Sequence, residues 1–177
     1  MTVEQMEQAR AWLERDSVLH ANMLEVLRRG STDALIAEER GVLLHDTGCG
    51  AWMLAAEPDA AEDFLDRVPA GCDLFVGHDM AYFELARARF GLPEREICWS
   101  AAYLDKVPLS VPDFGGELRL LDRSWAPWVL AHYSHAFADL DYMERAVDRG
   151  IIGAFVGGQP AGFVGFHDEG SIGMLEV

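Results

Sequence analysis

A block consisting of a helix, a glycine stop and three short apolar strands occurs twice in this chain. Gly30 and Gly150 each end a predicted helix and lie 120 residues apart, and Met53 and Met174, in the third strand of each block, lie 121 apart. Matching elements at a near-constant spacing are the signature of an internal repeat. We therefore predict an α/β (α+β) chain with two tandem mixed sheets and flanking helices.

Turn signals and helical periodicity outline the first block. Thr2 with Gln5 fits a capping box, and a second helix ends at Gly30, where glycine favours a C-terminal stop. The predicted strands are 34–39, 42–45 and 51–55; they are followed by a helix from Pro58 to about Val68, a strand at 73–77, a helix capped by Asp79 that runs through Phe90, and a strand at 96–104.

A segment rich in proline and glycine, 106–116, separates the two blocks and predicts a linker. We place the domain boundary within it, giving domains 1–112 and 113–177. The second domain is predicted to contain a strand at 117–121, helices at 125–133 and 139–149, and three strands after Gly150, with hairpin turns at Gly157-Gly158 or Gly158-Gln159 and at 168–170.

The last seven residues, 171–177, form an apolar strand with no polar tail or turn after it. A bare strand edge invites pairing with another chain. We therefore expect that the native protein continues past Val177, so that the second copy is incomplete here. An unpaired edge of this kind also predicts a homodimer.

Composition excludes several function classes. The formal net charge is −16, which opposes binding to nucleic acid and tilts a substrate preference slightly towards cationic amines. No signal peptide or membrane span is recognisable, so we predict a cytoplasmic protein with no membrane partner. Cys49, Cys72 and Cys98 have no metal-ligand spacing and are interpreted as free thiols, with no metal site.

The run from Tyr142 to Gly150, followed by GAFVGGQPAGFVGFHDEGSIGMLEV, resembles the first half of an acyl-CoA N-acyltransferase of the GNAT superfamily. The resemblance covers roughly residues 117–177, about a third of the chain, and makes the N-terminal domain a degenerate copy. It implies a sheet that is splayed between the family's fourth and fifth strands. It also implies acetyl-CoA or another acyl-CoA as co-substrate and a small-molecule or peptide amine as acceptor.

The resemblance assigns roles to the last strand. The family holds the thioester carbonyl with backbone N–H groups of its fourth strand near a bulge, where negative charge develops during acyl transfer. Met174, Leu175 and Val177 occupy that strand here, and Gly173 is the predicted bulge residue. Glu176 lies where some family members carry the base that deprotonates the amine.

Two further residues are candidates for binding the acceptor. Tyr133 lies in the segment where family members place acceptor-binding residues, and His167 adjoins the acidic turn before the last strand. Structural interpretations stay open for each of these residues. Glu176 also fits a solvent-facing strand position, Tyr133 a packed aromatic, and the segment at His167 an ordinary turn.

The chain also departs from the family pattern. The family binds the CoA diphosphate with a glycine-rich loop directly after its fourth strand. The matching segment of the first block, 56–63, is acidic and contains Pro58, and no such loop follows 171–177. Two hypotheses therefore remain: an N-acetyltransferase that is impaired in this form, or a non-catalytic binding or assembly module that associates through its exposed terminal strand.

Overall fold

The computed structural model describes residues 2–97, 103, 105–110, 113–134, 139–167 and 170–177. The chain divides into two compact units, 1–104 and 105–177, and the division falls just before the predicted linker at 106–116. Each unit contains one four-stranded sheet with helices packed on it. The predicted class, an α/β (α+β) chain with two sheets and flanking helices, is confirmed.

The first unit begins with two helices and a three-stranded meander, followed by an α/β segment. Its elements are α1 (Val3–Leu13), α2 (Ala21–Arg29), β1 (Thr32–Glu38), β2 (Gly41–Asp46), β3 (Trp52–Ala56), a 3₁₀ turn (Pro58–Ala60), α3 (Ala61–Leu65), β4 (Phe75–Gly77) and α4 (Phe83–Phe90).

Local sequence determines where the first two helices begin and end. Thr2 accepts a hydrogen bond from the Gln5 backbone while the Gln5 side chain accepts one from the Thr2 N–H, which confirms the predicted capping box. Gly30 ends α2 with φ +69°, a left-handed conformation that glycine adopts without strain. These signals depend on neighbouring residues alone, so the sequence predicts them well.

The sheet of the first unit is covered on both faces. Its order is β1-β2-β3-β4; β3 pairs antiparallel with β2 and parallel with β4. One core lies between the sheet and α1 with α2, and includes Leu13, Met23 and Val42. A second core lies on the opposite face, under α3 and α4. Both edges of β3 and both faces of the sheet are therefore buried.

The second unit repeats the helix and the three strands, with one more strand ahead of them. Its elements are β5 (Gly116–Leu120), a 3₁₀ turn (Arg123–Trp125), α5 (Ala126–His132), α6 (Leu140–Gly150), β6 (Ile152–Val156), β7 (Gln159–Phe166) and β8 (Ile172–Glu176). The sheet is antiparallel throughout, in the order β5-β6-β7-β8.

One face of this second sheet carries α5 and α6. The core on that face includes Met143, Phe155, Phe163 and Met174, all buried. The hairpin between β6 and β7 turns at Gly157-Gly158, with φ +58° and +78°. Two consecutive residues with positive φ match the right-handed twist of the flanking strands, so the Gly157-Gly158 form of the predicted turn is the one that forms.

The repeat is visible in the buried positions of α2 and α6. Both helices precede a three-stranded meander, and both bury the same three positions at a spacing of 120 residues: Met23, Val26 and Leu27 in α2, and Met143, Ala146 and Val147 in α6. The two units differ after the meander. In the first, α3 and β4 follow β3 and cover the sheet.

Two predicted elements are wrong in their described parts. The helix expected to start at Asp79 begins at Phe83, because the Asp79 carboxylate instead accepts a hydrogen bond from the Ala81 N–H in a local turn, at 2.7 Å. The strand expected at 96–104 is absent at Glu96 and Ile97, which are exposed and have no core to bury against. Of the rest of that range, only Tyr103 is described, and it is not in a strand.

Candidate functional site

The last strand of each meander has a different environment in the two units. β8 pairs with β7 on one side, and among the described residues no strand pairs with its other edge. The equivalent edge of β3 is occupied by β4, and the Leu54 carbonyl accepts hydrogen bonds from the Tyr82 hydroxyl at 2.9 Å and the His78 N–H at 3.1 Å. Backbone groups available for a ligand are therefore a feature of β8.

A bulge interrupts β8. Gly165 pairs with Met174 and Phe166 pairs with Ile172, so Gly173 is the extra residue. This confirms the bulge predicted at Gly173. A bulge bends the strand and changes the direction of neighbouring backbone groups.

The His167 ring lies directly against this bulge. A Cβ added to Gly173 would lie 2.2 Å from two atoms of the ring, so only glycine leaves the imidazole its place. The Tyr142 hydroxyl and His167 Nδ1 are 3.1 Å apart and share a hydrogen bond. These contacts connect α6 to the bulged strand.

Two cations surround the Tyr142 ring. The guanidinium groups of Arg145 and Arg149 lie 6.0 and 5.8 Å from its centroid, and Arg149 also donates to the Phe166 carbonyl at 3.4 Å. The same helix and its N-cap carry Asp139, Asp141, Glu144 and Asp148, so the two guanidinium groups lie in a region of mixed charge.

The predicted base, Glu176, is held by the residue after the candidate Tyr133. Glu176 Oε1 accepts hydrogen bonds from the Ser134 N–H at 2.9 Å and the Ser134 hydroxyl at 2.6 Å. These bonds join the segment after α5 to β8. A role for Glu176 as a base therefore competes with its role in positioning that segment.

The structure separates the remaining predicted site residues. Tyr133 is 8% exposed and packs on Phe163 with 6.5 Å between ring centroids, which fits the packed-aromatic interpretation. Met174 is fully buried, so its side chain faces the core and only its backbone remains for a cofactor. Leu175 and Val177 are exposed.

The predicted residues do not gather at one point. His167 contacts Gly173, near the start of β8, while Tyr133 adjoins Glu176 through Ser134, near its end. Three residues of extended strand, about 10 Å, separate Gly173 from Glu176. Asp168 and Glu169, which sequence grouped with His167, lie outside the described residues.

The acidic segment after β3 contains no cradle for a diphosphate. Glu57 and Asp59 both pair with Arg40, whose Nε lies 3.0 Å from Glu57 Oε2. Arg40 is thus already neutralised by two carboxylates, and an added phosphate would be repelled. The acidic segment after β3 therefore does not suit a diphosphate.

A pair of histidines in the first unit escaped the sequence analysis. His20, just before α2, and His78, just after β4, share a hydrogen bond between their Nδ1 atoms at 2.8 Å, with rings stacked 5.1 Å apart. Burial lowers the pKa of His20, and burial together with the neighbouring His20 lowers the pKa of His78 to about 4. Since 58 residues separate the two, only the tertiary fold reveals the pair.

Metal-binding groups and membrane-spanning helices were sought among the described residues. Within them, no group of three or more histidine, cysteine or acidic side chains is arranged to hold a metal ion. Likewise, no helix in the described part of the chain combines the length and hydropathy needed to cross a bilayer.

Comparison with known proteins supports the fold alone. Neither protein-family models nor curated proteins give a match. Among solved structures, the X-ray structure of a Drosophila melanogaster protein from a structural genomics consortium is similar, with a TM-score of 0.63 and 13% sequence identity. The similarity covers 100% of this chain and 76% of the Drosophila chain. At that identity it supports the arrangement of helices and sheets and nothing about activity.

The histidine pair predicts a loss of stability in acid. Both pKa values are lower in the folded state than the usual 6.5. The stabilising contribution is therefore complete above pH 6.5 and is lost as the pH falls towards 4, by about 2 kcal/mol. Thermal unfolding from pH 7.5 to 4.5 measures this, and His78→Leu is expected to flatten the dependence.

His132→Leu is the matched control for that measurement, because His132 is exposed and its Nδ1 is hydrogen-bonded to the Trp128 carbonyl at 2.8 Å rather than to another histidine. Its pH dependence is expected to stay close to that of the unaltered chain. Equal slopes for the unaltered chain and His78→Leu would contradict the assignment.

Because the His167 ring contacts Gly173, we expect substitutions at these two positions to have non-additive effects on the free energy of unfolding. Gly173→Ala forces the His167 ring to turn away and so breaks its bond to Tyr142, at a cost of about 1–2 kcal/mol. In the His167→Ala background the same glycine substitution is expected to cost much less. Urea unfolding of the two single variants and the double variant measures the coupling; strictly additive costs would show that the ring does not occupy this place.

Proposed function

We propose that the second unit binds the acyl-thioester arm of an acyl-CoA along β8 and takes part in N-acyl transfer to an amine. The observation that carries this is the bulged strand with an open outer edge. An extended amide-containing arm can pair with such an edge as an added strand does. N–H groups beside the bulge at Gly173 would then face the thioester carbonyl, where negative charge develops.

Polar groups near both ends of β8 support the acyl-transfer chemistry. Glu176 supplies a carboxylate that can take a proton from the attacking amine, with Ser134 fixing its orientation. The Tyr142–His167 pair supplies a hydrogen-bond donor near the other end, with the Arg145 and Arg149 guanidinium groups beside the Tyr142 ring. An acidic chain favours a cationic acceptor, but these residues do not select among amines, amino acids, peptides and aminoglycosides.

In this proposal the first unit does not bind the acyl donor. β4 pairs with the edge of β3 that corresponds to the open edge of β8. The Tyr82 hydroxyl donates a hydrogen bond to the Leu54 carbonyl. No thioester arm can enter there without separating paired strands. The acyl donor is therefore assigned to the second unit alone.

A non-catalytic assembly module is the second candidate. It is favoured by the same open edge of β8, which can pair with another chain, and by Leu175 and Val177, which are exposed beside it. This alternative predicts self-association without thioester binding, and light scattering over a range of protein concentrations separates the two.

Thioester binding is tested with two donors. Acetyl-CoA and S-acetylpantetheine are titrated into the isotopically labelled chain, and amide shifts of 173–177 are followed by NMR. Both are expected to bind, with dissociation constants on the order of 0.1–1 mM and within a factor of three of each other. The similarity follows because the described residues offer no diphosphate cradle next to the end of β8. Binding by neither donor would overturn the proposal.

Catalysis is tested through the carboxylate at 176. Thiol release from acetyl-CoA is measured from pH 6 to 9 with spermidine, an aminoglycoside, free amino acids and a peptide amine. Glu176→Gln is expected to lower kcat by about 10²- to 10⁴-fold with KM for acetyl-CoA little changed, since it removes the base but keeps its shape.

Ser134→Ala serves as the control, because it keeps the carboxylate but removes the hydroxyl that holds it. An equal loss of kcat in both variants would show that Glu176 acts only by positioning the segment after α5. Thioester binding without thiol release to any of these amines would contradict the catalytic part of the proposal.

A further inference from the structure

His132 is the last residue of α5, and one hydrogen bond determines which of its ring nitrogens can accept a proton. Its Nδ1 lies 2.8 Å from the Trp128 carbonyl oxygen. Because a carbonyl oxygen only accepts, Nδ1 carries the hydrogen, and in the neutral ring the lone pair is on Nε2. The side chain is exposed, and no described residue is hydrogen-bonded to Nε2. His132 therefore presents a basic nitrogen to solvent.

Aromatic contacts place the His132 ring near the end of β8. The imidazole lies against the Trp128 indole with 4.5 Å between ring centroids, and Trp128 packs edge-on against Phe163 of β7 at 5.8 Å. Phe163 is the cross-strand partner of Glu176. Directly opposed residues of an antiparallel pair point to the same face of the sheet, with Cβ atoms about 5 Å apart. Glu176 is thus directed to the face that carries α5.

The backbone after α5 directs the His132 and Ser134 side chains to the same side. Tyr133, between them, is extended, with φ −88° and ψ 122°, and its ring is buried against Phe163. Side chains alternate along extended backbone, so the residues on either side of Tyr133 point away from its ring. Ser134 holds Glu176 through its hydroxyl at 2.6 Å and its N–H at 2.9 Å. The imidazole and the carboxylate therefore flank one position at the end of β8.

Acyl transfer to an amine requires the nitrogen to lose two protons. The amine is largely protonated at neutral pH, and it must lose one proton before the nitrogen has a lone pair with which to attack. It loses a second proton as the C–N bond forms. Glu176, the base assigned to the attack, receives the second proton. The first proton needs another acceptor.

We propose that His132 Nε2 takes this first proton, from the α-ammonium group of a peptide N-terminus. The inference rests on the proposed N-acyl transfer. The exposed imidazolium passes the proton to water, and the neutral amine attacks the thioester carbon. As the C–N bond forms, the second proton moves to Glu176. The C–S bond then breaks, and Glu176 returns its proton to the departing thiolate sulfur, so that one proton leaves to solvent and one ends on the thiol.

The chemistry of a histidine acceptor favours α-amino groups over alkylamines. A free imidazole has a pKa of about 6.5, an α-ammonium group about 8 and a lysine-like ammonium group about 10.4. Proton transfer to an imidazole is therefore roughly 30-fold unfavourable from an α-ammonium group and roughly 10⁴-fold unfavourable from an alkylammonium group. Peptide N-termini are thus expected to be better acceptors than lysine side chains or spermidine.

The experiment compares two peptide acceptors, with the full chain and acetyl-CoA. Ala-Ala-Ala-amide offers an α-amino group, and acetyl-Ala-Lys-Ala-amide offers an alkylamine instead. From thiol release, kcat/KM is expected to be at least tenfold higher for the first peptide. His132→Asn is expected to lower kcat for that peptide by about 10²- to 10⁴-fold with KM for acetyl-CoA little changed, because the asparagine amide can still donate to the Trp128 carbonyl but cannot take a proton.

Imidazole rescue separates proton transfer from a structural role of His132. Free imidazole is expected to raise the kcat of His132→Ala severalfold and to leave that of Glu176→Gln unchanged. His45→Asn is the matched control, because His45 is a histidine of the first unit that pairs with Asp33 at 2.7 Å. Its kcat is expected to equal that of the unaltered chain. Circular dichroism verifies that each variant is folded.

The outcomes distinguish this inference from the function on which it rests. No thiol release by the unaltered chain with either peptide would contradict the proposed acyl transfer and this inference with it. Thiol release that Glu176→Gln abolishes but His132→Asn leaves intact would overturn the role of His132 alone. A loss of kcat in His132→Ala that imidazole does not restore would assign His132 only to the end of α5. Equal kcat/KM for the two peptides would overturn the preference for α-amino groups.

Discussion

Backbone pairing at the third strand of each meander controls the rest of this structure. In the first unit, β4 satisfies the outer edge of β3, and the helices that accompany β4 complete a second core around Phe64 and Tyr82. Within the described residues of the second unit, β8 has one paired edge and one covered face. Buried backbone groups must be paired. The first unit meets this requirement at β3 with β4, whereas no described strand pairs with the outer edge of β8.

Polar side chains of the second unit meet near both ends of β8. Tyr142 and His167 meet at the bulge of β8, and Ser134 meets Glu176 near its other end. The corresponding strand of the first unit, β3, lies among apolar side chains, and its Leu54 carbonyl accepts a hydrogen bond from the Tyr82 hydroxyl. A tandem repeat can thus keep one copy as a packed body while the other presents its strand to a ligand, and the proposed acyl transfer uses that division.

Sequence predicted those features that depend on neighbouring residues. The capping box at Thr2, the stop at Gly30, the turn at Gly157-Gly158 and the bulge at Gly173 all follow from local conformational preferences, and all are present. The same reasoning predicted two sheets in tandem, because the hydrophobic period and the glycine stops repeat. The predicted roles of Glu176, Met174, Leu175, Val177, Tyr133 and His167 in catalysis and binding stay predictions.

Features that depend on tertiary contact could not be predicted. His20 and His78 meet only because β4 returns beside α2, and Asp79 fails to cap α4 because its carboxylate finds the nearer Ala81 N–H. The face of the second sheet opposite α5 and α6 is the most instructive case. Its alternating leucines look like ordinary core residues in the sequence, and only the sheet order shows that no described element covers them. Leu118 and Leu120 are 55% and 71% exposed, so the hydrophobic period identifies a strand but does not tell which side of the sheet is covered.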